Sequence, residues 1–370
     1  MNHKIISFIA APVIYLNLAG MAARTAAGTQ PISVVSPDGQ IEVRISPESS
    51  SARRGPEFRI FFHAAELHHG RLGLCVNGTN VLEKAVLKRS RLRESDSTYA
   101  MPFGKNNPVR NHFRALILNW ESSAGPLRRL RVIFRAYNDG VAYRYVLPRQ
   151  RGAKSIEITD EPGTFRFDGD PRMWPLYFKS YVNSHEGNYD PGPFSVLATN
   201  RLIDVPLLAE FPNGVSVSIA QANLRNYAGL YLRAKNDRAG RRFLRCDLSP
   251  LPDDPGVKVR ARLPLNSPWR AVLIGDAPGR LIESDLILNL NAPDAIGDPS
   301  WLKAGKMSFY WWSGVQELRD PTGPSSGKSV TLISARATAS PITPSSAPRA
   351  IIPGITRPRP VTTRQDRMRT

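Results

Sequence analysis

Phe134-Arg135-Ala136-Tyr137-Asn138-Asp139-Gly140-Val141-Ala142-Tyr143-Arg144-Tyr145 is the stretch that decides the fold. On both sides of Asn138-Asp139-Gly140 the residues alternate in the period of a half-buried strand. Asp-Gly between two such runs predicts a tight antiparallel hairpin, because both central residues accept positive φ. Tyr137, Tyr143 and Tyr145 then lie on a sheet. They are read first as packing residues, with stacking on a sugar as the lesser reading.

Working outward, the same period recurs. The turn Ser36-Pro37-Asp38-Gly39 leads into Ile41-Glu42-Val43-Arg44-Ile45, an alternating run. Further strands are predicted at 58–62, 116–118, 130–137, 155–158, 164–167, 215–220, 257–263 and 271–274. Residues 281–290 fit a strand or a short helix equally. Short strands with turn signals between them, in a chain of 370 residues with 32 prolines and 27 glycines, predict an all-β protein built as a large β-sandwich.

Charge is unevenly spread. Of the formal +19, the first thirty residues carry +2 and residues 319–370 carry +7, leaving +10 on the body between them. Such a balance attracts anionic partners. There is no zinc-finger spacing, RNA-binding aromatic motif or basic helix, so no specific nucleic-acid recognition is expected. The two cysteines, Cys75 and Cys246, are open to a disulfide or to two free thiols, which spacing does not decide.

Residues 1–28 are ordered as a secretory signal: Lys4, an apolar centre, then small residues at Ala22-Ala23 and Ala26-Ala27-Gly28. A retained interfacial anchor is the alternative. The expected location is secreted or periplasmic. No later stretch is long and apolar enough to span a bilayer, which takes about 20 residues.

Residues 177–195 form a polar, aromatic, turn-rich segment carrying Asn183, His185, Glu186, Asn188 and Asp190. These oxygens suit a hard cation or the hydroxyls of a sugar, but taken alone they read first as a solvated loop whose side chains hydrogen-bond.

His185-Glu186-Gly187-Asn188-Tyr189 resembles the active-site loop of glycoside hydrolase family 97. Five further segments resemble that family in the same order: 36–43, 134–145, 267–276, 281–291 and 298–306. The resemblance spans about residues 32–315. It implies a galactose-mutarotase-like super-sandwich that packs on a (β/α)₈ barrel in a secreted or periplasmic enzyme cleaving α-linked glucosides or galactosides. It implies Ca²⁺ as cofactor in the inverting members, with Glu186 by motif position as a metal ligand. Asn188 is the loop's candidate for sugar binding. Trp311 and Trp312 fall where the first barrel strand begins and are candidates for stacking on substrate, although Tyr310 departs from the Asp or Pro of many relatives.

The domain plan that follows is a sandwich at 31–295, a linker and barrel start at 296–318, and a Pro/Ser/Thr/Arg-rich segment at 319–370. That last segment is too polar to bury a core and reads as a disordered tail, which a shift of reading frame would produce. Glycoside hydrolysis takes two placed carboxylates, which in the family lie on the barrel. No residue here is assigned a catalytic role, and Glu283 and Asp285 read as surface ion pairs or caps. The partners expected are an α-linked oligosaccharide or polysaccharide and a catalytic barrel. Two other functions compete: a stand-alone carbohydrate-binding protein of the envelope, and a basic adaptor for anionic polymers. Sugar binding at millimolar affinity or better would favour the first of these, and salt-sensitive DNA retention the second.

Overall fold

The computed structural model describes residues 31–47, 55–101, 104–293, 295–298 and 300–301. The expectations for 1–28, for Tyr310, Trp311 and Trp312, and for 319–370 lie outside the described residues. The chain divides between Ala295 and Ile296, and both large sheets belong to the first unit.

One sheet has nine strands, in the order Ile32–Val35, Ile41–Ser46, Glu57–Phe62, Ala65–Arg71, Thr164–Phe167, Arg242–Leu248, Leu230–Asn236, Leu202–Ile203 and Tyr177–Phe178. The other has nine strands in line: Gly192–Pro193, Arg172–Trp174, Leu207–Glu210, Ser216–Ala222, Trp269–Gly275, Gly140–Leu147, Arg129–Tyr137, Val109–Ser122 and Ala85–Tyr99. A tenth, Leu265–Asn266, pairs beside Gly140–Leu147. A small third sheet joins Val259–Arg262, Ser155–Asp160, Cys75–Val76 and Thr79–Asn80. The pairings within the hairpins and between sequence-distant strands are alike antiparallel.

Alternation packs the two large sheets face to face. In Ile41–Ser46, Ile41, Val43 and Ile45 are fully buried while Arg44 between them is exposed. Phe58 of one sheet meets Phe134 and Tyr143 of the other, with ring centroids 5.6 and 5.3 Å apart. Tyr143 and Tyr145 are core residues, as expected, each 1 % exposed. The expectation of an all-β sandwich therefore holds. Two faces meet because each strand has one apolar side, and burial of that side drives the layers together.

The hairpin differs from expectation in detail. Tyr137 pairs with Gly140, so the turn residues are Asn138-Asp139 rather than Asp139-Gly140. Only Gly140 has positive φ, at 152°. A Cβ there would drive into the carbonyl oxygen of Val272 and lie 3.0 Å from Cα of Leu273. Glycine is used to let a neighbouring strand approach as well as to leave the turn.

Residues 281–290 resolve into helix. Pro278–Glu283 and Leu286–Leu290 are two short helices, the first opening with Pro278, whose fixed φ suits a first turn. Leu286 and Leu290 pack on Phe113, Tyr137, Ala142 and Ala271, covering part of the outer face of the ten-stranded sheet. As read from sequence, Glu283 is in a surface ion pair, with Arg280 at 3.2 Å. Asp285 accepts from Asn106 at 2.7 Å.

A charged pair is sealed in the interior. Arg270 donates from Nε and Nη2 to the two oxygens of Glu161, each at 2.6 Å, and both side chains are fully buried. Burial opposes the charge on Arg270, but Glu161 outweighs it and raises the guanidinium pKa above its ordinary value. Both cysteines are free thiols. Burial pushes Cys75 up to about 11 and Cys246 higher still, so neither is a nucleophile at neutral pH.

Candidate functional site

Residues 179–191 run between two sheet edges. Tyr177–Phe178 is the last strand of the nine-stranded sheet, and Gly192–Pro193 is the last strand of the ten-stranded one. The loop therefore crosses the rim of the sandwich, where backbone left without a ladder is free to take turns.

It is held by aromatic packing and by one ring. Leu176, Phe178, Leu202 and Tyr231 form a small buried cluster with Tyr181 packed against it. The Tyr181 hydroxyl donates to Asp247 at 2.7 Å, and Arg233 holds the other oxygen of that carboxylate at 2.7 Å. His185 stacks on Tyr231, centroids 5.9 Å apart, and meets the edge of Phe178. Its Nδ1 is 2.8 Å from Asp204, and its Nε2 is 3.4 Å from the Tyr231 hydroxyl. The His185 backbone accepts φ of 56°, a conformation that costs a non-glycine residue about 1–2 kcal/mol. Contacts on both ring nitrogens offset that cost.

These contacts settle what the other polar residues of the loop do. Asn183 donates to the carbonyl of Ser180 at 3.0 Å and to the Tyr231 hydroxyl at 3.2 Å, while its own oxygen accepts from the His185 N–H at 2.9 Å. Asn183 and His185 thus hold the loop. Gly187, directly after Glu186, packs so that a Cβ would sit 3.0 Å from Leu176. Glu186 lies between these two fixed points with its side chain exposed. Among the described residues it has no hydrogen bond or ion pair, and the same is true of the Asn188 side chain. Val182 and Tyr189 are exposed beside them, at 92 % and 55 %.

Such a carboxylate, unengaged and open to solvent on an anchored loop, can take a cation or accept from sugar hydroxyls. It does not form a cation cage alone. Among the described residues no three His, Cys, Asp or Glu side chains gather as a metal group, whereas Ca²⁺ takes six to eight oxygens. A calcium ion at Glu186 would need most of its oxygens from outside this side chain. Asp204, Tyr231 and Tyr181 support the loop and were not singled out from sequence, since each lies outside its motif or reads as an ordinary sheet residue.

The retaining alpha-galactosidase of Bacteroides thetaiotaomicron is 30 % identical over 262 residues, which cover 64 % of this chain and 38 % of that enzyme. A probable retaining alpha-galactosidase of Streptomyces bingchenggensis is 24 % identical over 279 residues, covering 71 % of this chain and 41 % of that protein. The structure of a family 97 enzyme of Pseudoalteromonas sp. strain K8 in complex with acarbose superposes with a TM-score of 0.70 at 28 % identity, over 80 % of this chain and 43 % of that one. A variant of that enzyme solved with panose matches equally. This chain thus spans about two fifths of the length of these relatives, from within their N-terminal part. With residues 34–293 matching the N-terminal domain of glycosyl hydrolase 97, the chain belongs to glycoside hydrolase family 97.

Proposed function

We propose that this sandwich is the site-supporting domain of a secreted or periplasmic α-glycosidase, and that its rim loop offers Glu186 to a calcium site completed by a catalytic barrel. The observation that carries the reading is the contrast within one loop. His185 is held by Asp204 and Tyr231, and the carboxylate directly after it is left unengaged. A loop anchored through Asn183, His185 and Asp204 that leaves the adjoining carboxylate open suits a ligand supplied to a neighbour. Relatives solved with acarbose and panose, and others named as α-galactosidases, support an α-linked glucoside or galactoside as the substrate of the intact enzyme. Asn188, two residues past Glu186 with its side chain also unengaged, is the proposed hydrogen-bond partner of a sugar hydroxyl. The two carboxylates that hydrolysis needs come, in this reading, from the barrel.

Mixing the full chain with a separately produced catalytic region of the Pseudoalteromonas relative tests this. The expected result is a stable complex with calcium-dependent release from a nitrophenyl α-glycoside. Glu186→Gln should keep the complex and lose the calcium dependence. The chain alone should release nothing above an inactive control. Turnover by the chain alone, or an unchanged calcium response in Glu186→Gln, would overturn the assignment.

A further inference from the structure

The outer face of the ten-stranded sheet carries a file of arginines that the rim loop does not use. Register places them on one side. Arg89 pairs with Asn119, Arg91 with Ile117 and Arg93 with Ala115. Across the next strand Asn119 pairs with Arg131 and Ala115 with Arg135, and Ile133 pairs onward with Arg144. Directly paired residues of an antiparallel sheet share a face. Ala115 belongs to the outer cluster with Phe113 and Trp269, which fixes that face as the outer one. Arg89, Arg91, Arg93 and Arg131 are exposed, and Arg135 and Arg144 are half-buried.

None of these six has a carboxylate partner among the described residues. Surface arginines elsewhere on the molecule do: Arg110 has Asp96 at 2.7 Å, and Arg260 has Asp253 at 3.0 Å. Two of the six are packed as like charges. The guanidinium of Arg135 lies 4.7 Å and that of Arg144 4.4 Å from the centre of the same Trp269 ring, and Nε of each is buried without a hydrogen-bond partner. Burial, and then the charge of Arg135, pushes Arg144 down to about 10. The file continues past Arg131 to Arg129, which with Lys84, Lys88 and Arg128 lines a depression of about 510 Å³. Its single carboxylate, Glu121, is 3.5 Å from Lys88.

A line of cations without counter-ions is stabilised by an anion that repeats along it. The chemistry narrows the anion. All six are arginine, whose planar fork matches a carboxylate on two bonds, where lysine offers only a point charge. The floor between them is Ile117, Ile133 and Asn119, apolar enough for a sugar ring and polar enough for a hydroxyl. The face's own aromatics, Phe113, Tyr137 and Trp269, are buried, so bases would find no ring to stack on. We propose that this face binds a carboxylated polysaccharide, a polyuronate laid across the strands, separately from whatever the Glu186 loop serves.

Biolayer interferometry of the full chain on immobilised polygalacturonate tests it. The variant Arg89→Ser/Arg91→Ser/Arg93→Ser removes three exposed cations of the file. Lys179→Ser/Arg225→Ser/Arg238→Ser removes three exposed cations elsewhere, and residues 319–370 keep their charge in both. The expected result is binding weakened at least about tenfold by the first variant, equivalent to ~1.4 kcal/mol, and by less than about twofold by the second. Equal loss in both variants would reduce the effect to overall charge and overturn the proposal. So would duplex DNA or dextran sulfate bound as tightly as polygalacturonate through the same three arginines. Circular dichroism of both variants confirms that the sheets are retained.

Discussion

His68 shows how a single side chain ties this fold to pH. It is 1 % exposed and packed among Phe58, Phe165 and Phe167, with neither ring nitrogen paired. Burial, and then the neighbouring charge of His69, pushes its pKa down from 6.5 to about 3. Between these two values the unfolded chain holds a proton that the folded chain does not. Stability therefore falls as pH drops through this window, by ~1.4 kcal/mol per pH unit at full effect. His69, also pushed down chiefly by burial, adds in the same direction. Replacing His68→Phe should flatten the dependence most clearly between about pH 5.5 and 6.5, where most carboxylates are already ionised. Urea unfolding at several pH values measures this, and an unchanged slope would show that His68 is solvated. Nothing in His68-His69 as sequence marks one ring as core and the other as half-exposed. Alternation would have predicted only that the two face opposite ways.

At the scale of elements, strands were legible and the support of the loop was not. Ile41–Ser46 and Arg129–Tyr137 show their faces in the sequence because alternation is local. The strands found are mostly longer than the runs that announce them. Val109–Ser122 extends well beyond 116–118 because its partner Ala85–Tyr99 continues the ladder where no core demands apolar residues. Residues 281–290 were ambiguous because five-residue helices leave too few turns for a period to show. The motif around Glu186 was visible, but its anchor Asp204 is 19 positions away from His185 and became a neighbour only through folding. Asp204→Asn tests that anchor. Its other oxygen still accepts from the Val205 N–H at 2.9 Å, so the change is confined to the ring contact. A bond to an ionised group contributes about 1.5–3 kcal/mol. Its loss should raise local opening of residues 179–191 by about tenfold to a hundredfold in hydrogen exchange, with little change in the strands of the core. Unaltered protection in the loop would mean that stacking on Tyr231 alone holds His185.

For the molecule as a whole, the two large sheets share one core whose buried members run from Val34 to Ile274 in sequence. The two helices that follow close the outer face with Leu286 and Leu290. Strands far apart in the chain pair directly, as Phe167 does with His68 and Tyr143 with Arg270, so neither half of the sandwich can form its layers without the other. Cooperative unfolding follows from that interleaving, since removing any central strand uncovers both sheets. The same reasoning says where the fold should stop needing chain. Every residue of the main and outer clusters precedes Asn291, and among the described residues no helix is long and apolar enough to cross a membrane. A chain ended after Pro293 should therefore unfold in one transition in scanning calorimetry. Its midpoint should lie within about 2–4 °C of that of the full chain, the shift that ~1 kcal/mol produces in a domain of this size. A midpoint lowered well beyond that, or a transition split in two, would show that residues after 293 complete the sandwich.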